Sequence, residues 1–540
     1  MLWSNVIGSI AAAFPLDTWR KRNLVSNILP SPEETDDLSA LAGSLPAAKD
    51  PAGLASQAAT NQPSRWQFWS GIRRSRLVPM IVACALFMEL VDSTVISTAL
   101  PMIAHDFGKD PILLKLGLAA YLVSLAVFIP ISGWMADRFG GRAVFSSAIA
   151  MFMVSSMLCG LSRSFEFFVA ARFMQGIGGA MMVPVGRIVI VRSVEREELV
   201  TALNYLTIPA LLGPVFGPPL GGFITTYLNW RWIFFINVPI SILGIFLALH
   251  FMENMREKEV VPLDVVGFVL SAGGLSLLMF GLTTINESLV PRTISLGCII
   301  IGAVATAGYL RHAQTRTAPL LDLNLFKINT FSVGVGGGSL FRIGIGSISF
   351  LLPLMFQVGF GLNPLQSGLL TCASALGAMF MKTAIKMVLR AFGFRPVILV
   401  NAFFASATIA AFGLFTEHTA HSVIFVVLLI GGCFRSLQFT ALNALAYADI
   451  PDHEVSQATS LWAMVQQLSL GMGVTTGAFC LSAANFLQGH THIVTADFAP
   501  TFVALGVIAT TSAYSAYTLA PGAGAELAGR TGASGSLKAH

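Results

Sequence analysis

Phe139-Gly140-Gly141-Arg142-Ala143-Val144 returns 253 residues later as Phe392-Gly393-Phe394-Arg395-Pro396-Val397. Upstream of it, Leu100-Pro101, Phe107-Gly108 and Pro111 return as Leu352-Pro353, Phe360-Gly361 and Pro364. Downstream, Arg172-x-x-Gln175 returns, slightly further displaced, as Arg435-x-x-Gln438. One such match is chance; three in the same order, at offsets near 253 to 263, are an internal duplication.

The duplicated material is hydrocarbon-soluble. Of 540 residues 55% are hydrophobic and 11% charged, where an ordinary soluble domain has about a quarter charged. The apolar residues form runs of roughly 18–25, the length a helix needs to cross about 30 Å of hydrocarbon. Strands of a membrane barrel would instead alternate apolar and polar residues in shorter segments. Fourteen runs follow one another, beginning near Val78, Leu116, Val144, Phe167, Thr201, Trp232, Val265, Thr293, Phe331, Ser367, Val397, Ser422, Ala458 and Phe498.

The repeat pairs span one with nine, the loop after span two with that after ten, and span four with twelve. A displacement of eight spans is even, so the copies run parallel, as in transporters whose halves are related by an axis along the membrane normal. The predicted fold class is therefore all-α integral membrane, with two six-helix bundles plus two inserted helices. Residues 77–250 form the first bundle, 251–328 a linker with the inserted pair, and 329–520 the second bundle. Residues 1–76 and 521–540 read as disordered cytoplasmic tails; an over-assigned start site is the alternative for the first, because Met80 and span one follow directly.

Basic residues orient the array. Arg73, Arg74 and Arg76 precede span one, and alternate loops carry Arg138 and Arg142, Arg192 and Arg196, Arg256 and Lys258, Arg311, Arg316 and Lys327, then Lys386, Arg390 and Arg395. The intervening loops carry fewer, so the positive-inside rule places both termini in the cytoplasm. The net charge of +5 is scattered through loops and gives no nucleic-acid surface. Six cysteines sit in apolar runs without metal-ligand spacing, and His490 with His492 is a weak metal pair. No nucleophile–base set and no phosphate-binding glycine loop followed by Lys-Ser/Thr is present, against an enzyme or an ATP-driven pump.

Span one carries the chemistry. Glu89 and Asp92 lie three residues apart on one helix face, well inside hydrocarbon, where a carboxylate costs roughly 2.5–3.5 kcal/mol on insertion scales. Such a pair can load and release a proton, or it can serve as a structural hydrogen-bonding pair. Counting about 1.5 Å per residue from the outer span ends, Asp92 and Arg172 lie at one depth, which permits a contact. Gly133, Asp137, Arg138, Gly140 and Arg142 make the loop after span two, read as a conformational latch in which the arginines bridge neighbouring helix ends. Gly213, Pro214, Gly217, Pro218, Gly221 and Gly222 give span five a smooth, bendable face suited equally to packing and to gating. Gln175, Arg342, Gln357, Arg435 and Gln438 are the candidates for a central cavity, and Lys382 reads as snorkelling to the membrane surface.

These motifs resemble the major facilitator superfamily, and within it the fourteen-span drug:proton antiporter branch. The resemblance is carried by Leu90-Val91-Asp92-Ser93-Thr94, the 133–142 loop, Arg172-Phe173-Met174-Gln175-Gly176, the 213–222 segment and Trp230–Pro239. It implies Asp92 and Arg172 as proton-coupling residues, the 133–142 loop as a cytoplasmic gate and 213–222 as the antiporter helix. Gly141 stands where the family usually has Arg, and the second-half copy of the loop lacks the acid. The function expected is proton-coupled export of drug-like or amphipathic small molecules across the cell inner membrane, with no cofactor beyond the proton gradient. The partners expected are substrate, protons and the bilayer; no sequence feature supports a periplasmic adaptor. A dedicated exporter or importer of one metabolite is the first alternative, and a transport-dead sensor or scaffold the second. The abundance of Phe and Met over charge favours a broad apolar cavity.

Overall fold

The computed structural model describes residues 74–194, 198–257, 260, 262–287, 290–316, 319–451, 454–520, 522–525 and 527. The expectation for residues 1–73, and most of that for 521–540, lies outside the described residues. Among the described residues fourteen helices are long and apolar enough to span a bilayer. We number them α1 (Arg76–Asp106), α2 (Pro111–Phe139), α3 (Gly141–Gly160), α4 (Phe165–Ser193), α5 (Thr201–Tyr227), α6 (Trp232–Phe251), α7 (Val265–Thr284) and α8 (Arg292–Thr315). The rest are α9 (Asn329–Gly359), α10 (Pro364–Phe392), α11 (Phe394–Leu414), α12 (His421–Ala446), α13 (Val455–Leu487) and α14 (Thr495–Tyr517). Thirteen begin within three residues of the hydropathic expectation. The exception, α2, starts five residues early because Pro111 opens a 3-10 turn whose donor-free nitrogen suits a first helical position.

Local chemistry sets the helix ends. Ser164 accepts the Phe167 amide at the start of α4, and Asn363 and Gln366 form a reciprocal capping box on α10. The repeated glycines do the same work in each copy. Gly140 (φ 96°) and Gly393 (φ 82°) end α2 and α10, and Gly108 (φ 60°) and Gly361 (φ 68°) turn the chain after α1 and α9. Side chains rarely adopt these left-handed values, so the spacing of the motif is a spacing of turns.

Helix packing repeats with a displacement of eight. In the first half α1 packs on α5 and α6, α2 on α4, and α3 on α4 and α6; in the second α9 packs on α13 and α14, α10 on α12, and α11 on α12 and α14. The halves meet along two seams, α5 against α10 and α13 against α2. The offset of the repeat shifts from 252 at Leu352 to 253 at Phe360, and between them Met355–Gly359 forms a π-helical turn. A π turn is one extra residue in an α-helix, and α1 has none there.

The inserted hairpin α7–α8 lies on the α2–α13 seam. Val123 and Val127 of α2 pack on Met279 of α7, Lys115 pairs with Glu287 between α7 and α8, and the Thr283 and Thr475 hydroxyls meet at 3.1 Å on α13. At the other end of the hairpin, Asp264 accepts the Gly267 amide and contacts His312 at 2.8 Å. Large apolar side chains such as Phe246, Val304, Phe403 and Val507 stand exposed on the outside, as a hydrocarbon-facing surface requires.

Candidate functional site

Asp92 and Arg172 meet. Arg172 Nη1 donates to Asp92 Oδ2 at 2.9 Å, with both side chains wholly buried between α1 and α4. Gln175, one turn after Arg172, accepts from Nη1 at 2.5 Å and donates to Asp92 Oδ1 at 3.0 Å. Asn237 of α6 donates to the same Oδ1 at 2.7 Å, and Ser156 of α3 accepts from both amides. The guanidinium lies over the Tyr121 ring at 4.4 Å. Its Nε and Nη2 find no hydrogen-bond partner among the described residues. Arg172 therefore hangs on one nitrogen, through one carboxylate and one amide.

Glu89 is not a partner of Arg172. It is buried, its Oε2 is unpartnered, and its Oε1 stands with the Tyr121 hydroxyl beside Gly179 of α4. Asn237, Ser156 and Tyr121 were not singled out by the sequence reading. An asparagine in the apolar run Trp232–Leu243 was the available signal for Asn237; nothing marked Ser156 or Tyr121 among many similar residues.

The latch is met in part: Arg142 reaches the end of α6 as expected, whereas Asp137 has a partner the sequence did not suggest. Asp137 pairs with Arg192, at the end of α4, at 2.8 Å, and Arg192 also holds Glu257 at 2.9 Å. Arg142 Nη1 donates to the Met252 carbonyl at 3.5 Å, while Arg138 is exposed and bridges no helix end among the described residues. Asn254 accepts the Ala143 amide and fills the space where Gly140 would carry a Cβ; nothing lies within 4 Å of such an atom at Gly133. All these contacts lie within the first half and the segment after α6. Arg192 is long enough to satisfy two carboxylates at once.

The α5 motif divides its work. Gly213, Gly217 and Gly221 abut Leu90, Thr94 and Val95 of α1, a close backbone approach within the first half. Gly222 faces Pro364 and Leu365, and Gly368 of α10 abuts Pro218 and Pro219, so this end of the motif crosses between the halves. Gln357 donates to the Thr98 carbonyl at 2.9 Å, and Thr226 accepts the Leu365 amide at 3.1 Å. These contacts lie toward the end of the bundle opposite Arg138 and Arg142.

Between the halves lies a cavity of about 470 Å³. Ser93, Thr94 and Ser97 of α1 and Pro214 and Pro218 of α5 form one wall; the other comes from α9, α10 and α12. Of the five cavity candidates only Arg435 lines it. Gln175 belongs to the Asp92 cluster, Gln357 to the seam, and Gln438 is buried against Asn401 and the Ile398 carbonyl of α11. Arg342 lies over the Phe439 and Trp462 rings, 5.6 Å from each centre. The glutamines find their partners on neighbouring helices, whereas Arg342 Nη1 donates to the Gly334 and Val335 carbonyls of its own helix and its Nε and Nη2 find none among the described residues. Lys382, expected at the membrane surface, lines the cavity and donates to Thr440 at 3.0 Å. The wall is not rich in Phe and Met: Phe439 and Met379 are its only examples, among hydroxyls and aliphatic side chains.

Comparison with known proteins identifies the architecture. Residues 82–474 match the model of the Major Facilitator Superfamily. The "Putative multidrug resistance protein MdtD" of Serratia proteamaculans (strain 568) is 37% identical over 419 residues, covering 78% of this chain and 85% of that protein. Its namesake from Escherichia coli O6:H1 is 36% identical over 430 residues, covering 80% and 88%. Among solved structures, a D-xylose–proton symporter superposes with a TM-score of 0.59 at 15% identity, covering 82% of this chain and 97% of the other. The peptide-transporter-family protein PepTSo superposes with a TM-score of 0.60 at 12% identity, covering 84% and 98%. The chain belongs to the Major Facilitator Superfamily.

Proposed function

We propose that this member of the Major Facilitator Superfamily is a proton-coupled antiporter that exports drug-like or amphipathic small molecules across the cytoplasmic membrane. The observation that carries it is the buried Asp92–Arg172 pair, closed by Gln175 and Asn237 and set one helix away from the cavity. The positive-inside count supports two cytoplasmic termini, and the names of the MdtD relatives support a drug-like cargo.

Protonation of Asp92 removes the negative partner of Arg172, leaving the guanidinium with the Gln175 carbonyl and the Tyr121 ring in a site without water-facing surface. A buried cation in that condition is strongly destabilised, so the helices carrying the pair shift. The opposite side of α1 is seated on the α5 glycines, and α5 carries the Gly222–Pro364 seam. A shift of α1 thus reaches the contact between the halves and opens the end that the seam closes. Deprotonation there restores the pair.

The test is purified protein in proteoliposomes, with proton flux driven by added compounds. Asp92→Asn abolishes compound-driven proton flux while substrate still binds, and Glu89→Gln weakens it. Wild-type flux in both single variants and in the double variant would remove this reading.

A further inference from the structure

The residues facing the cavity are chemically one-sided. Two ionisable groups line it, Arg435 and Lys382, and both are cations; no Asp or Glu is among its lining residues. Arg435 is 8% exposed, donates from Nε to the Gly431 carbonyl of its own helix at 3.3 Å and from Nη2 to the Ser374 hydroxyl. Among the described residues no carboxylate lies within ion-pair distance of either cation. A third cation, Arg342, stands behind the Phe439 ring that forms part of the wall. The acid of the neighbouring helix, Asp92, is turned away and already neutralised by Arg172.

The duplication shows what is missing. Arg435 is the repeat counterpart of Arg172, but the counterpart of Asp92 at the 252-residue offset is Gly344, packed against Ala509 and Ile409. A buried cation without a partner is costly, and a cavity with only positive groups attracts anions and repels cations. Ile348, Leu352, Pro353 and Leu211 supply apolar lining, while Ser93, Ser97 and Thr371 hydroxyls can turn to donate or accept.

We infer that the cavity takes an amphipathic organic anion, whose carboxylate or phosphate is held between Arg435 and Lys382 and whose apolar body lies along Leu352 and Pro353. This rests on the transport reading above and narrows it: the cargo is an acid rather than the cationic amphiphile that a drug exporter is first tested with. A volume of about 470 Å³ suits a compact molecule of that kind.

The experiment is equilibrium binding to the full-length protein in phosphatidylcholine nanodiscs, with matched acids and amines. The pairs are indoleacetate and tryptamine, naphthylacetate and naphthylethylamine, and phenyl phosphate and benzylamine. The expected result is saturable binding of at least one acid and of no amine. Arg435→Gln weakens that acid at least about tenfold, the loss typical of a charge-assisted contact, and Lys382→Gln weakens it less. Where Arg435→Gln fails to fold, Arg435→Lys keeps the charge, loses the planar fork and still weakens the acid. Saturable binding of amines to the wild type, binding of no acid, or acid binding indifferent to every variant would overturn the inference. No gradient is applied. Acid binding by the wild type without acid-driven proton flux in proteoliposomes therefore refutes the antiport reading alone, and amine-driven flux without acid binding refutes this one alone.

Discussion

Arg172 and Arg435 occupy equivalent places in two copies of one helix, and the two halves treat them in opposite ways. In the first half the guanidinium is locked to Asp92 and fenced by Gln175, Asn237 and Ser156. In the second it borders the cavity with a hydroxyl and a backbone carbonyl for partners. The companion glutamines diverge likewise: Gln175 serves the ion pair, whereas Gln438 is tied to Asn401 at 2.9 Å, away from any charge. Duplication supplied two positive centres; one copy satisfied its own internally and the other left it facing the cavity.

The largest expected effect tests that contrast directly. Asp92→Ala, which strands Arg172, is expected to cost about 3–5 kcal/mol of stability, and Arg435→Ala about 1 kcal/mol. Unfolding of detergent-solubilised protein would measure both, and equal losses would erase the distinction between the halves. The glutamines sharpen it. Gln175→Leu removes hydrogen bonds to charged groups and is expected to cost about 1.5–3 kcal/mol, against about 1 kcal/mol for Gln438→Leu. The second figure is smaller because Asn401 keeps its bond to the Phe434 carbonyl.

At the seam joining the copies, a Cβ on Gly222 meets the Pro364 carbonyl and Leu365 Cα. Gly222→Val is therefore expected to cost about 1–3 kcal/mol and to raise cysteine-reagent access from the end opposite Arg138. The hairpin α7–α8 belongs to neither copy, and its tie is weaker. Burial pushes the Asp264 carboxyl up, but the Gly267 amide and His312 outweigh it and hold it below the ordinary value. Its contribution is thus complete above that ordinary range and is lost as pH falls through the lowered value. Asp264→Ala is expected to cost about 1 kcal/mol near neutrality and to flatten the acid limb of a stability–pH curve. Gly133→Ala, with open space around it, is expected to change stability by less than about 0.5 kcal/mol.

Much of this is legible in the sequence, for physical reasons. Hydrocarbon thickness forces long apolar runs, so span starts came within a few residues, and the positive-φ glycines made the repeat visible as turns. The Asp92–Arg172 contact was permitted by depth alone, since a charge in hydrocarbon must find its opposite. Direction around a helix was not legible. Which neighbour Lys382 and Gln438 each meet depends on how the helices pack, not on their own helix's pattern. The Asp137 side of the latch was hidden for a related reason: Arg192 reads in sequence as a topological marker, although its length lets it join Asp137 to Glu257.

The π turn at Met355–Gly359 carries a historical consequence. One added residue inside a helix would rotate everything beyond it by about 100° and so turn lipid-facing side chains inward. Here the widened turn absorbs the addition locally, and Phe360-Gly361 keeps the place that Phe107-Gly108 holds in the other copy. A gene that has doubled can therefore accept a codon in the middle of a transmembrane helix without shifting the loop beyond it. The change from 252 to 253 is the one-residue difference between the copies that this turn accommodates.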